Sequence, residues 1–223
     1  MTFKRLEINF LPSSEYAYKN IESPKPAKFF IPKWYKDIKN KNGLNLKSCI
    51  PFLDSFSSGY IQSTWHDVLV EVKDGNVLIK TIKGKPFINR RIHSDVPMDD
   101  SFHKIEFTWE RHWAVSLPKG YSGLIVHPLN HIDLPFYTLS GIVDFDKYNH
   151  SKVGNLPFYL KKNFTGIIPK GTPMYQIIPI KRNDWLGNKQ KFNKVESDKK
   201  DKIRTSIPSN RYKKLFWQKK GFN

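Results

Sequence analysis

The chain has 223 residues with sixteen Phe, ten Tyr and six Trp, enough bulky material for one well-cored domain with extensions, and this excludes a disordered chain. A single cysteine, Cys49, excludes an intramolecular disulfide framework, fits a reducing compartment and reads as a small buried hydrophobe. No segment approaches the roughly 18 apolar residues of a spanning helix, and the charged, proline-containing start lacks the apolar run of a signal peptide, so a soluble intracellular protein is expected.

In chain order, residues 1–43 read as an extended arm. "INF" can pair as a strand, the prolines of "SPKPAKFFIPKWYKDI" forbid a long helix, and "KNKNG" is a turn. Phe29, Phe30, Trp34 and Tyr35 are expected to pin this arm to the body. The clearest hairpin is "WHDVLVEVKDGNVLIKTI", two alternating runs around Asp74, Gly75 and Asn76. Further short strands follow in "FHKIEFTWERHWAVSL", "YSGLIVHPL", "SGIVDFDKY", "LPFYLKK" and "FTGIIPKGTPMYQIIPIK", separated by Gly and Pro. Strands at this spacing without a helical period between them predict an all-β fold, an antiparallel jelly roll or barrel, over residues 44–182. Residues 183–223 change character. "NKQKFNKVESDKKDKI" reads as a polar linker or strap. "SIPSNRYKKLFWQKKGFN" predicts a short terminal helix with Ser209 or Asn210 as its cap, an apolar set at Tyr212, Leu215 and Phe216, and Gly221 as its stop.

From residue 117 to residue 182 the order of "LPKGYSGLI", "GIVDFDKY" and "IPKGTPMYQIIPI" resembles the trimeric dUTPase family and its β-clip relatives. That resemblance implies a dUTPase-like barrel, a water-holding and sugar-contacting role for Asp144, a sugar-packing role for Tyr148, and a match of Gln176 to the family's late glutamine. The chain departs from the family where an Arg-Ser pair would bind phosphate, because "HPLNH" stands there. It also lacks an upstream "D-x-G-x-D" and a glycine-rich C-terminal arm. A triphosphate needs cationic and backbone donors plus a metal to neutralise it, so dUTP hydrolysis is disfavoured. A second resemblance, carried by "PKPAKFFIPKWYKDI", "KSCIPFLDSFSSGYIQSTWHDV", "LSGIVDFDKY" and "YKKLFWQKKGF", is to an uncharacterised family of tailed marine bacteriophages with bacterial relatives. It implies a phage gene acting in the host cytoplasm or the virion, and assigns no catalytic residue.

Three groupings could carry chemistry. His127, His131 and Asp133 in "HPLNHID" could converge on Fe(II) or Zn(II), but Pro128 prevents a helical His clip and His150 lies too near to complete a facial triad, so loop histidines in an Asx-type turn are preferred. His66, His93, His103 and His112 are expected to flank aromatic strands. Asp144 and Asp146, two apart, would share one face of a strand, where they either alternate toward solvent or enter a pocket with His127, Asn130, His131, Asp133, Tyr148 and Gln176. His131, Asp144 and Asp146 are the catalytic candidates of that pocket; no cofactor and no resident metal are expected. A pocket filled by Tyr121, Phe136 and Phe158 would instead place binding elsewhere.

The third grouping is the charge itself. Residues 1–43 carry nine bases against four acids, residues 44–180 fifteen against twelve, and residues 181–223 fourteen against four. The body is nearly neutral and the C-terminal flank is basic. Thirty-one of the bases are Lys and seven Arg, as AT-rich codon usage would give, and a site selected for phosphate forks would favour Arg. Lys199, Lys200, Lys202, Arg204, Arg211, Lys213, Lys214, Lys219 and Lys220 around Trp217 are the polyanion candidates, since lysines follow phosphates while an aromatic stacks on a base. The competing reading has that aromatic face packed on the barrel with the lysines solvated. The expected function is a non-catalytic, phage-encoded interaction module. Weak, sequence-independent nucleic acid and further copies of the chain are its expected partners, and a membrane is not. A nucleotide pyrophosphatase or metal-dependent enzyme centred on residues 127–146 is the alternative.

Overall fold

In a computed structural model describing residues 6–39, 45–73, 75–91, 96–148, 154–206 and 211–223, the alternating runs become short strands and the N-terminal prolines confine helices to brief turns. β1 (Asn9–Pro12), α1 (Glu15–Asn20), β2 (Lys25–Pro26), α2 (Lys33–Asp37) and α3 (Ile50–Ser57) come first. The body then runs through β3 (Tyr60–Ser63), β4 (Val68–Lys73), β5 (Asn76–Thr81), β6 (Ile88–Arg90), β7 (Phe107–Trp109), β8 (Trp113–Ser116) and β9 (Tyr121–Val126). It continues with β10 (Phe136–Thr138), β11 (Gly141–Val143), β12 (Leu156–Leu160), β13 (Gly166–Ile168) and β14 (Pro173–Lys181) before α4 (Lys194–Thr205) and α5 (Arg211–Leu215).

The pairings among the described residues are antiparallel. They form a five-stranded sheet β11-β9-β14-β3-β2, a four-stranded sheet β10-β12-β7-β6, a three-stranded sheet β13-β4-β5 and the ribbon β1-β8. The protein is therefore mostly β with few helices. Among the described residues its sheets stay open, and their hydrogen bonds do not show the closed barrel or jelly roll expected from strand spacing, since period-2 patterning fixes faces but not closure. The hairpin read from the sequence appears as β4 and β5, with Val68 opposite Thr81 and Lys73 opposite Asn76; Asp74 at its turn lies outside the described residues.

Aromatic packing knits the four-stranded sheet together, and a hydrogen bond ties it to the five-stranded one. Trp109 stacks on Phe158 at 3.7 Å between centroids with 8° between planes, and Phe136 meets Trp109 edge-on at 5.0 Å. The indole N–H of the buried Trp109 donates to Thr138 Oγ1 at 3.0 Å, and that hydroxyl donates to the carbonyl of Met174 at 2.7 Å. A polar ring edge is thus satisfied without opening the core. Between α3 and β3, Gly59 adopts φ +70°, and a Cβ there would stand 2.1 Å from the Ile177 carbonyl oxygen. Only glycine supplies both the dihedral and the close approach.

The described N-terminal residues, 6–39, are woven into the body. β1 pairs with β8 and β2 with β3. Tyr35 packs against Phe56 of α3 at 4.9 Å and Trp34 against the same ring at 6.0 Å, whereas Phe29 stays 66% exposed and pins nothing. Cys49 is exposed, against the expectation of burial. At the other end, α4 replaces the linker expected there, and none of its residues is buried. Tyr212, Leu215 and Phe216 remain exposed instead of packing on the body. The docking is done by the segment beyond them. Trp217 Nε1 donates to Asp54 Oδ2 at 2.9 Å, Lys220 reaches the same oxygen at 2.7 Å, and Tyr60 donates to the Asn223 carbonyl at 3.1 Å. Ser209 and Asn210, read as caps, lie outside the described residues.

Candidate functional site

β11 ends at Val143, so Asp144 and Asp146 sit in the turn that follows it and do not share a strand face. The turn folds both acids back toward β9 and β14. Ser122 Oγ donates to Asp144 Oδ1 at 2.6 Å, and the Gly120 N–H donates to Asp146 Oδ2 at 2.8 Å. Arg182, just past β14, donates to Asp144 Oδ1 at 3.1 Å and Asp146 Oδ1 at 2.9 Å, and its second terminal nitrogen pairs with Asp146 Oδ2. The Arg182 guanidinium, with the Gly120 amide, holds the Asp146 carboxyl at about 2, and the Ser122 hydroxyl, with Arg182, pulls Asp144 below the usual carboxylate range. Both acids are ionised and partnered at neutral pH, which suits a structural lock and not a general acid.

The loop "HPLNH" is similarly fastened. Gln176, on β14 and fully buried, accepts from the Leu129 N–H at 2.8 Å and donates to the carbonyls of Ser55 at 3.1 Å and Ser58 at 2.5 Å. Asn130, at φ 60°, donates to Ser55 Oγ at 2.6 Å. Gln176 and Asn130 thus clamp the loop to the C-terminal end of α3. His127 Nδ1 accepts from the Thr138 N–H at 3.3 Å, which fixes the proton on Nε2 for donation to the His131 carbonyl at 3.2 Å. Burial pushes both imidazoles down to about 4, so both are neutral near pH 7. His131 is 4% exposed, meets Phe56 edge-on at 5.8 Å and has a buried Nε2 without a protein partner.

The two groups of candidates do not form one site. A half-open cavity of about 330 Å³ is lined by Phe102, His127, His131, Phe136, Tyr137 and Lys161, together with Asn130 and Ile132. Asp144, Asp146, Tyr148 and Gln176 are not on its wall, and Asp133 is an exposed residue outside it. Tyr148 lies half-exposed, its N–H donating to the Asp144 carbonyl at 2.8 Å. Among the described residues no three His, Cys, Asp or Glu converge as a metal site; His93 and His150 lie outside them. The larger cavity, about 600 Å³, is elsewhere, between the start of the chain, Tyr60, the β9 entrance and the C-terminal residues. Phe136 and Phe158 are buried in the core, and Tyr121 lines this larger groove.

The basic candidates split as well. Lys199, Lys200, Lys202 and Arg204 are exposed on α4, with Lys200 paired to Glu196 at 2.7 Å and Arg204 to Asp201 at 3.2 Å. Lys213 and Lys214 are exposed on α5, which begins at Arg211, and Lys219 is exposed beyond it. Trp217 and Lys220 are held by Asp54 and are committed to docking the tail. Sequence reasoning missed Arg182, Ser122 and Asp54, the residues that satisfy the candidate acids and tail. The available signal was the rarity of Arg in a Lys-rich chain, which marks Arg182 for fork geometry.

These features describe a mostly β protein of open antiparallel sheets with a partnered acid pair and a projecting strap. No protein-family model matches the sequence, and no curated protein does. Among solved structures it is similar to a dUTPase variant from phage phi11 of S. aureus, at 13% identity and a TM-score of 0.35, covering 85% of this chain and 99% of that one. A Staphylococcus bacteriophage 80alpha dUTPase variant with dUpNHpp has 14% identity and a TM-score of 0.37, covering 85% and 91%. No helix among the described residues is long and apolar enough to cross a membrane.

Proposed function

We propose that the chain is a non-catalytic interaction module, phage-encoded as its Lys and Asn usage and family resemblance imply, acting in the infected cell or the virion. Its layout is an N-terminal arm, residues 1–43, a β body, residues 44–182, and a basic strap, residues 183–223. The observation that carries this reading is the strap between Arg182 and α4. Trp185, Leu186 and Phe192 are 88%, 85% and 82% exposed there, and unpartnered apolar side chains in such a row mark a surface that another molecule covers. The acids that an enzymatic reading needs are occupied by Arg182 and Ser122, and the separate cavity at His127 and His131 holds neutral imidazoles and one lysine. That set lacks the cations and carboxylates that triphosphate hydrolysis requires.

The test is a nucleotide hydrolysis assay with dUTP and other deoxynucleoside triphosphates in Mg²⁺, run beside equilibrium binding by the full chain. The expected result is no turnover above buffer. Turnover lost on Asp144→Asn would replace this reading with the pyrophosphatase.

A further inference from the structure

Three segments that the fold fixes separately enclose the half-open cavity of about 330 Å³ at His127 and His131. The "HPLNH" loop supplies the two histidines, and β10 supplies Phe136 and Tyr137. The third side is the bridge between Phe102 and Lys161, fastened where the Lys161 N–H donates to the Pro135 carbonyl at 2.9 Å. Its rings support one another. Tyr137 lies 5.0 Å from the His127 ring and 6.4 Å from the Phe102 ring, and Phe136 is held edge-on by Trp109. Such walls are preformed, and the volume falls at the lower end of the roughly 300–1,000 Å³ of small-molecule pockets.

Two of the polar side chains on the wall already have their partners. His127 uses both ring nitrogens, on the Thr138 N–H and the His131 carbonyl, and the Asn130 amide donates to Ser55. Beneath the solvent-exposed Tyr137, two groups keep capacity. His131, 4% exposed, has a buried Nε2 with no protein partner, and a desolvated ring nitrogen without a hydrogen bond costs stability. Lys161 gives one of its three ammonium hydrogens to the Ile132 carbonyl at 2.9 Å and has no carboxylate partner among the described residues. The cavity therefore presents aromatic faces, one hydrogen-bonding nitrogen and one uncompensated positive charge.

We infer that this cavity binds a small aromatic monocarboxylic acid bearing a hydroxyl group, with its carboxylate on Lys161 and its hydroxyl on His131 Nε2. Each feature of the ligand answers a feature of the wall. A planar ring packs against Phe102, Phe136 and Tyr137 in offset or edge-on contact. A hydroxyl both donates and accepts, so it pairs with Nε2 in either tautomer. A single carboxylate matches a single ammonium, which is a point charge without the fork that favours phosphate, and the neutral imidazoles add no second cation. A nucleotide is thereby disfavoured in this cavity. The site lies apart from the strap and from the acids at Arg182, so it goes beyond the interaction-module reading and does not depend on it.

The experiment is calorimetric titration of the full chain at pH 7 with benzoate, 3- and 4-hydroxybenzoate, the matching hydroxybenzamides and dUMP. At least one hydroxybenzoate is expected to bind at a single site and to shift the Hε1 resonances of His127 and His131. Its amide is expected to bind about tenfold more weakly, the loss of one charge-assisted hydrogen bond. K161Q should abolish the difference between acid and amide, and H131L the preference for hydroxybenzoate over benzoate, each at an unchanged melting temperature. The ligand series and the resonances are read on the wild-type chain, so the test holds even if a variant misfolds. No saturable binding of either hydroxybenzoate in the millimolar range overturns the inference, as does equal binding of acid and amide. Shifts confined to other histidines, or tighter binding of dUMP, overturn it too. None of these outcomes touches the strap, so the interaction-module reading stands or falls separately.

Discussion

Arg182 closes a junction at which three parts of the chain meet: the β9 entrance, the turn after β11 and the root of the strap. Replacing it by Ala leaves Asp146, whose side chain is 2% exposed, with only the Gly120 amide. An under-compensated buried carboxylate is costly, so R182A is expected to lower Tm by several degrees and to make residues 117–148 more susceptible to protease, read by limited proteolysis. The histidines give a pH signature of defined sign. His127 and His131 have folded-state values of about 4 against an ordinary 6.5, so below 6.5 the unfolded chain binds more protons than the folded one. Their contribution is fully present above pH 6.5 and is lost as pH falls toward 4, by roughly 3 kcal/mol per site at the limit. Thermal melts between pH 7.5 and 4 should show this decline. H131L should reduce it by about half, leaving the His127 contribution, without lowering Tm at pH 7, because it removes a buried Nε2 that has no protein partner. A melting point independent of pH across that range would refute the burial assignment.

At the scale of elements, the β3 entrance is fixed by backbone geometry. In G59A, the new Cβ meets a carbonyl oxygen, which cannot swing aside as a flexible side chain would, and φ is +70°. A loss of more than about 1 kcal/mol is expected by urea denaturation. α4 behaves oppositely. Asn193 caps it by accepting from the Glu196 N–H at 3.2 Å, so N193A should lower far-ultraviolet helicity while leaving the body's melting temperature unchanged. These elements also show what the sequence makes legible. The β4–β5 hairpin is written in local alternation, and α4 carries a readable signal in Asn193 followed by Glu196, with Glu196 and Lys200 one turn apart. Lysine density concealed that signal behind the polarity of a linker. The candidate site was less legible because its decisive contacts are remote. Asp146 and Arg182 are 36 residues apart, and Asp54 and Trp217 are 163 apart, separations that no period encodes. Acids two apart in sequence looked like one face of a strand only while the end of β11 was unknown.

For the whole molecule, the charge is the property that names a partner class, and the structure limits how it can act. The strap's bases are mostly lysines, several already paired with Glu196, Asp201 or Asp54; of its tryptophans, Trp217 is held by Asp54 and Trp185 is exposed. Point charges attract phosphate, and an exposed ring such as Trp185 stacks on any base, but neither reads sequence. Nucleic-acid binding by the full chain is therefore expected to be weak and indifferent to sequence. On raising salt, affinity should fall with a log–log slope of about −0.7 per neutralised phosphate on single strands and about −0.9 on duplex, and should vanish near physiological ionic strength. Fluorescence anisotropy with labelled oligonucleotides of unrelated sequence measures this directly. Truncation after Arg182 should abolish binding, but it also removes the Trp217 and Lys220 contacts to Asp54, so the cleaner variant replaces Lys199, Lys200 and Lys202 by Gln and leaves the tail docked. That triple variant should reduce the salt slope by roughly three phosphates' worth at most while its melting temperature stays unchanged, since α4 buries nothing. Tight binding to one sequence that survives physiological salt would require a base-reading surface that these exposed lysines do not form.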